Sequence, residues 1–354
     1  MPQKTQQNSN PKSQKSQMAQ NPTKNQTNKI TKNEKNEVTK AGFVALIGRP
    51  NAGKSSLLNA LSGENLALVS HKANATRSIM HFIVPYTTKP KSTNTNDSSQ
   101  SAKSEHCQIV FIDTPGIHKR EKLLNQFMLQ STIKAIEDCD ICAFMCAFGD
   151  DLKHYEEFLA NYDKKHIVVI SKIDSANSDN LARYISLFSR FSDRFYALVP
   201  LSVKKRINLE TFLESICEIL PRSPALYDED LLTTHTSRQI AKEAIREAVF
   251  NLCSDEIPYQ SDVEILSFAE PDDKPNATSH TTHITARILV EKQSQKLIVV
   301  GKNGDAIKRI SICARQKIEQ ILAQKIFLRL SVVVRKEWAK SKKDLQRLGY
   351  NFDL

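Results

Sequence analysis

The chain has 354 residues, 40% hydrophobic and 25% charged, with a formal net charge of +11 at pH 7, which is room for two ordinary domains with separate cores. Its longest apolar runs, such as residues 141–148, fall far short of the roughly 20 residues a membrane span needs, and the start has no apolar stretch that could act as a secretory signal, so a cytoplasmic protein is expected. Seven scattered cysteines, an odd number, argue against a disulfide framework.

Residues 1–40 are mostly Gln, Asn, Lys, Ser and Thr, with 8 Lys against 2 acidic residues. Such a segment buries too little surface to offset its ordering entropy, so a disordered tail is expected. It fits either a tolerated extension or a weak polyanion binder, and its lack of Arg argues against a transit peptide. From Gly42 the pattern changes. Residues 43–47 form a continuous apolar run ending in Gly48, the signature of a buried parallel strand. Runs of the same type recur at 109–112, 141–148, 167–170 and 195–201. Helical stretches lie near 55–61, 123–137, 155–162, 181–188 and 209–220. The alternation predicts an α/β domain over 41–220, with a mostly parallel sheet covered on both faces. A further strand at 79–86 precedes a polar stretch, 87–106, expected to be a disordered insertion at a strand-to-strand turn. Cys139 and Cys142 form a C-x-x-C with Cys146 nearby. Metal or redox chemistry is one reading; small apolar side chains in and before a buried strand is the other.

Pro221-Arg222-Ser223-Pro224 ends the last helix and opens a linker, 221–230. Beyond it, over 231–354, come a helix (235–252), a strand (261–268), a polar loop with Pro271 and Pro275, and a strand (284–291). A short helix leads into Gly301-Lys302-Asn303-Gly304. A longer helix (305–323), a strand (326–335) and a basic terminal helix follow. This is an α+β order. Its charge is lopsided: 4 basic against 12 acidic residues over 224–283, then 16 against 6 over 284–354. A generic solvated surface would not usually show that asymmetry.

Gly48-Arg49-Pro50-Asn51-Ala52-Gly53-Lys54-Ser55 is G-x-x-x-x-G-K-[ST], placed after a predicted strand and opening a predicted helix. Glycines let backbone N–H groups curl around phosphate oxygens, and the helix N-terminus adds positive potential. Lys54 is expected on the β- and γ-phosphates and Ser55 on Mg²⁺. The motif alone still allows an ATPase or a nucleotide kinase. Asp113-Thr114-Pro115-Gly116 closes a second apolar strand, where the carboxylate can hold Mg²⁺ through water and the Gly116 N–H can sense the γ-phosphate. Ser171-Lys172-Ile173-Asp174 closes a third. Asp174 can accept two hydrogen bonds from guanine N1–H and N2–H₂, donors that adenine lacks, which favours GTP over ATP.

These three motifs in this order resemble the small GTPase superfamily over residues 42–220, and the forms G-R-P-N-A-G-K-S and D-T-P-G resemble those of bacterial Era-like GTPases. The resemblance places Thr76, in Ala73-Asn74-Ala75-Thr76-Arg77, as the switch threonine that binds Mg²⁺ with GTP. It places Ser202-Val203-Lys204 as the loop behind the guanine base. It also implies that Ile117 is an apolar packing residue where Ras-like proteins carry a catalytic Gln, and that Asn51 matches a potassium-binding Asn. Hydrolysis then falls to backbone groups, Mg²⁺, Lys54 and K⁺. Ser171 stands where the family usually has Asn, so a contact to the base or the phosphate loop is expected to be lost. Ala75 and Val203 also depart, from Thr and Ala.

Val300-Gly301-Lys302-Asn303-Gly304-Asp305-Ala306-Ile307 resembles the G-x-x-G signature of KH domains. Two glycines permit a tight turn that lets backbone approach a nucleic acid, with Lys302, Lys308 and Arg309 for phosphates. Ile298, Val299, Ile307 and Ile310 are expected to line a groove for splayed bases. Helix-strand-strand-helix-helix-strand is the type II KH order, and a GTPase domain followed by such a domain is the Era-like architecture. That resemblance runs over about 42–354 and includes Leu231-Leu232-Thr233, Glu256-Ile257-Pro258-Tyr259, Lys336-Glu337-Trp338-Ala339 and Leu348-Gly349-Tyr350. It implies a GTP/GDP switch that binds 16S ribosomal RNA, takes part in 30S subunit assembly, acts as a monomer and makes peripheral contact with the inner membrane. A signalling GTPase whose basic end binds lipid or protein, and an ATP-dependent enzyme, remain open on the residues alone.

Overall fold

A computed structural model of the chain describes residues 40–63, 76–77, 79–89, 104–115, 123–228, 230–253, 256–271 and 281–350. Residues 1–39 of the expected tail, most of the 87–106 insertion, Ala75, Pro275, Gly116 and Ile117 lie outside the described residues, while Lys40, expected to end the tail, opens the first strand.

The first part runs β1 (Lys40–Gly48), α1 (Lys54–Ser62), β2 (Met80–Thr87), β3 (His106–Asp113), α2 (Leu123–Asp138), β4 (Ile141–Ala147), α3 (Lys153–Leu159), β5 (His166–Ser171), α4 (Ser178–Ser186), β6 (Phe195–Pro200) and α5 (Leu209–Ile219). The strands form one sheet in the order β2-β3-β1-β4-β5-β6, parallel except for β2. The two-residue period of a strand explains its continuous apolar runs. On β1, Val44 and Leu46 join Leu57, Phe212 and Ile216 on one face, while Ala45 and Ile47 join Tyr155 and Phe158 on the other. Helix α4 begins three residues before the expected position because the Asn177 side chain caps the Asn180 N–H.

Parallel strands put their C-terminal ends on one edge, and that edge carries the motifs. The register sets Asp113 beside Leu46, Met145 beside Gly48, Ser171 beside Ala147 and Pro200 beside Ile170. Cys139, Cys142 and Cys146 are all buried in the core. Burial pushes the Cys142 thiol well above its usual range and that of Cys146 up to about 12. All three cysteines pack among apolar side chains such as Ala45, Ile47 and Val168, as small core residues do.

The second part runs α6 (Ser237–Leu252), α7 (Ile257–Gln260), β7 (Ser261–Ala269), β8 (Thr281–Val290), α8 (Gln293–Val300), α9 (Asp305–Leu322), β9 (Lys325–Val334) and α10 (Lys342–Arg347). Its sheet is β7-β8-β9, with β7 antiparallel and β9 parallel to β8. Ala241, Ala244, Ile245 and Ala248 of α6 meet Ala314 and Ile318 of α9 over Ile284, Ala286 and Ile288. Small residues on α6 let the two helices approach closely. The single turn α7 is an addition to the expected order, started by Pro258 in its first turn. The segment expected to be a linker is docked: the Gln108 side chain donates to the Tyr227 carbonyl at 2.7 Å and accepts from the Leu226 and Tyr227 N–H groups at 2.8 and 2.9 Å. Among the described residues, no helix is long and apolar enough to cross a membrane.

Candidate functional site

The phosphate loop links β1 to α1, and its backbone is shaped by steric necessity. A Cβ at Gly48 would lie 2.1 Å from the Met145 carbonyl oxygen, so no larger residue fits. Asn51 and Gly53 have φ of 64° and 101°, which curl the loop back over the helix start. Arg49, Pro50 and Ala52 complete it, and the Ala52 N–H bonds the Arg49 carbonyl at 3.2 Å. Lys54 is buried, and its ammonium donates to the Gly48 and Arg49 carbonyls at 3.0 and 3.2 Å.

Ser55, Thr76 and Asp113, far apart in the chain, meet at the strand edge. The Ser55 hydroxyl donates to Asp113 Oδ2 at 2.8 Å, the Thr76 hydroxyl donates to the same oxygen at 3.3 Å, and the two hydroxyl oxygens are 3.1 Å apart. Asp113 Oδ1 is buried with no hydrogen-bond partner among the described residues. Two hydroxyls and a carboxylate with an unsatisfied oxygen form a hard-oxygen donor set of the kind Mg²⁺ takes alongside phosphate and water. Burial pushes the Asp113 carboxyl up and the Lys54 ammonium down, each partly offset by attraction to the other. A divalent cation beside one and phosphates beside the other would reverse both shifts. Thr114 donates to the Leu46 carbonyl at 2.6 Å, and Thr132 of α2 lies 3.3 Å from the Pro115 carbonyl it can donate to, which ties the end of β3 to the sheet and to α2.

The base-side loops follow β5 and β6. Ser202 Oγ donates to Asp174 Oδ1 at 2.6 Å and accepts the Lys205 N–H at 3.1 Å. That bond holds the Asp174 carboxyl below its ordinary range against the opposing effect of burial, with Lys204 and Lys205 adding to it. Lys172 takes a left-handed turn (φ 59°) that leads into the short 3₁₀ turn Ile173–Ser175. Ser171 lies 2.6 Å from the Ala52 carbonyl to which its hydroxyl donates. The shorter side chain therefore keeps a contact to the phosphate loop, and the expected loss there does not occur. Val203 is half-buried against the core.

In the second part, Gly301 (φ 76°) and Gly304 (φ 82°) bracket a 3₁₀ turn that joins α8 to α9. A Cβ at Gly301 would meet Ala306 at 2.7 Å, while Gly304 faces open space. Lys302, Asn303, Lys308 and Arg309 are all exposed beside the turn. The expected groove needs correction. Val299 and Ile310 are fully buried core residues, because α8 and α9 turn those positions onto the sheet. The exposed apolar residues beside the turn are Ile298 and Leu297, 54% and 65% exposed. Leu297 was missed in the sequence; its only signal was its place in the apolar run before Gly301.

Comparison with known proteins agrees with this arrangement. A family model described as a 50S ribosome-binding GTPase matches residues 43–172, and a KH domain model matches 256–339. The GTPase Era of Helicobacter pylori is 48% identical over 312 residues, covering 88% of this chain and 97% of that protein. The GTPase Era of Campylobacter concisus is 41% identical over 313 residues, covering 88% and 100%. Among solved structures, a variant of Aquifex aeolicus Era bound to GDP·AlF4⁻ is 29% identical with a TM-score of 0.77, covering 88% of this chain and 100% of that one. Era in complex with MgGDPNP and nucleotides 1506–1542 of 16S ribosomal RNA is 30% identical with a TM-score of 0.78, covering 89% and 100%.

Proposed function

This chain belongs to the Era family of GTPases, and we propose that it is a GTP-hydrolysing switch whose second domain binds 16S ribosomal RNA during assembly of the 30S subunit. The observation that carries the reading is the convergence of Ser55, Thr76 and Asp113 within 3.3 Å beside Lys54, on the same sheet edge as Asp174. Two domains are assigned, 41–220 and 231–354, joined by 221–230 and preceded by the 1–40 tail.

The phosphate loop residues Gly48 to Ser55 cradle the phosphates with backbone N–H groups, and Lys54 supplies a fixed positive charge to the β- and γ-oxygens. Ser55, Thr76 and Asp113 are the residues that would hold Mg²⁺, which when bound neutralises charge on those phosphates. Asp174, oriented by Ser202, accepts from guanine N1–H and N2–H₂; adenine offers no such donors and leaves the carboxylate unpaired. Gly116, Ile117 and Val203 are assigned to the nucleotide site on family resemblance, with Gly116 as the γ-phosphate sensor. Asn51 is assigned to a K⁺ ion beside the phosphates; equal hydrolysis rates in potassium and sodium buffers would remove that assignment.

Gly301, Lys302, Asn303, Gly304, Lys308 and Arg309 form the RNA contact. Their support is an exposed cationic turn beside Leu297 and Ile298, in a segment with 16 basic against 6 acidic residues. The chain is assigned to the cytoplasm as a monomer, with peripheral membrane contact through that basic segment. Two measurements test the whole. GTP should compete for the site far better than ATP. Gly304→Asp, where an added Cβ meets nothing within 4 Å but the left-handed backbone strains any side chain, should weaken binding of a 16S 3′-end RNA at least about tenfold through added like charge and a strained turn together. A chain with no guanine preference, or a variant with undiminished RNA affinity, is the refuting result.

A further inference from the structure

Arg77, the residue after Thr76, has no role in the nucleotide reading. Its guanidinium is 3% exposed, and among the described residues the groups its terminal nitrogens bond belong to the second domain. One terminal nitrogen donates to the Ser261 carbonyl at 2.8 Å and to Asp262 Oδ2 at 3.4 Å. The other donates to the Pro258 and Tyr259 carbonyls at 2.9 and 3.2 Å. Those two carbonyls lie in α7, whose single turn leaves them without helical partners. The indole of Trp338 sits 5.8 Å from the guanidinium carbon and donates its own N–H to the Gln260 carbonyl at 3.1 Å. Asp262 is held in turn by the Tyr350 hydroxyl at 2.6 Å and by Lys242 at 3.6 Å. A second observation points to the same place. Leu124 and Met128 of α2, the helix after the D-T-P-G segment, bury against Trp338, Leu345, Leu348 and Tyr350.

A planar guanidinium whose two terminal nitrogens are bonded from two directions is held in one orientation, which a lysine ammonium cannot reproduce. Only one peptide unit separates Arg77 from Thr76, so fixing the first limits where the second can go. The Thr76 hydroxyl is thereby held beside Ser55 and Asp113. We propose that Arg77 is a positioning residue, and that the socket of Asp262, Trp338 and Tyr350 in the second domain sets Thr76 at the metal site. The GTP-bound switch is then completed by both domains. This rests on the reading of Thr76 as a ligand of the nucleotide's Mg²⁺. Linkage makes the coupling reciprocal: a nucleotide that favours Thr76 at the metal also tightens Arg77 in its socket.

Trp338 is the only tryptophan in the chain, so intrinsic fluorescence reports on the socket. The experiment compares the full chain with GDP and with GDPNP plus Mg²⁺, recording tryptophan emission and the affinity for each. The unmodified chain should show different emission in the two states. Arg77→Lys should lose that difference and bind GDPNP with Mg²⁺ about tenfold more weakly, while GDP affinity changes less than about threefold, a coupling in the usual range. Tyr350→Phe, which removes one hydroxyl bond to Asp262, should shift the same ratio in the same direction by less, and serves if Arg77→Lys does not fold. A merely structural role would lower both affinities together. The proposal is overturned if either folded variant keeps the original GDPNP-to-GDP affinity ratio, or if emission is the same in both states of the unmodified chain. Failure of the functional reading looks different: the unmodified chain would show no preference for guanine nucleotides at all.

Discussion

Asp174→Asn exchanges one carboxylate oxygen for an amide nitrogen with little change of shape, and the structure dictates which way the amide will sit. Ser202 Oγ accepts the Lys205 N–H at 3.1 Å and turns its own proton toward Asp174 Oδ1 at 2.6 Å. An Asn at 174 therefore keeps its oxygen on Ser202 and presents its NH₂ to the base. Guanine offers its N2 amine there, so that bond becomes a donor–donor contact, while the retained oxygen can still accept N1–H. Bonds to charged groups are worth roughly 1.5–3 kcal/mol each. At a half-exposed site the lower end applies, about 1.5 kcal/mol, which is about a 13-fold loss of GTP affinity. Xanthosine triphosphate carries a carbonyl in place of the guanine amine and gives the new amide an acceptor, so the variant should prefer it to GTP. Competition of GTP, xanthosine triphosphate and ATP against a fluorescent GDP measures all three. A GTP loss under about fivefold, or a variant that still prefers GTP, would falsify the orientation argued from Ser202.

Ser171→Ala removes the bond to the Ala52 carbonyl; at about 1 kcal/mol, GTP and GDP should both weaken about fivefold, and unchanged affinities would refute that role. Gly48→Ala drives a methyl to 2.1 Å from the Met145 carbonyl, so the phosphate loop must shift, and nucleotide affinity should fall more than about tenfold; a variant with normal affinity contradicts the steric account. His166 is buried under Tyr155, whose hydroxyl lies 2.9 Å from its Nε2, and burial lowers its pKa to about 4. The unfolded chain binds this proton near pH 6.5, so the stability it contributes is whole above that pH and is lost as pH falls toward 4. Between pH 7 and 5 the loss should be on the order of 2 kcal/mol in urea unfolding, and His166→Gln should flatten that limb; an equally steep limb in the variant refutes the assignment.

Local physics made much of this molecule legible before its structure. The phosphate loop is eight contiguous residues whose backbone form is set by its own glycines. The buried parallel strands announce themselves as unbroken apolar runs, because both faces of such a sheet are covered. The glycine-bracketed turn before α9 is legible for the same reason: its left-handed conformations favour particular residues at fixed offsets. Ile298 and Val299 mark where that reasoning stops. Both are apolar neighbours on one short helix, yet one is exposed and the other lies in the core, and only the angle at which α8 meets the sheet separates them.

The sequence by itself therefore determined which chemistry the chain carries, since each motif is a short segment shaped by its own backbone. Tertiary structure alone decided which distant residues share a site. Ser171 meets a carbonyl 119 positions away, and Arg77 finds its partners more than 180 positions along the chain. Such pairings follow from strand register and from the docking of one domain on another. Those depend on the summed burial of many side chains and leave no pattern in the residues on either side of the contact.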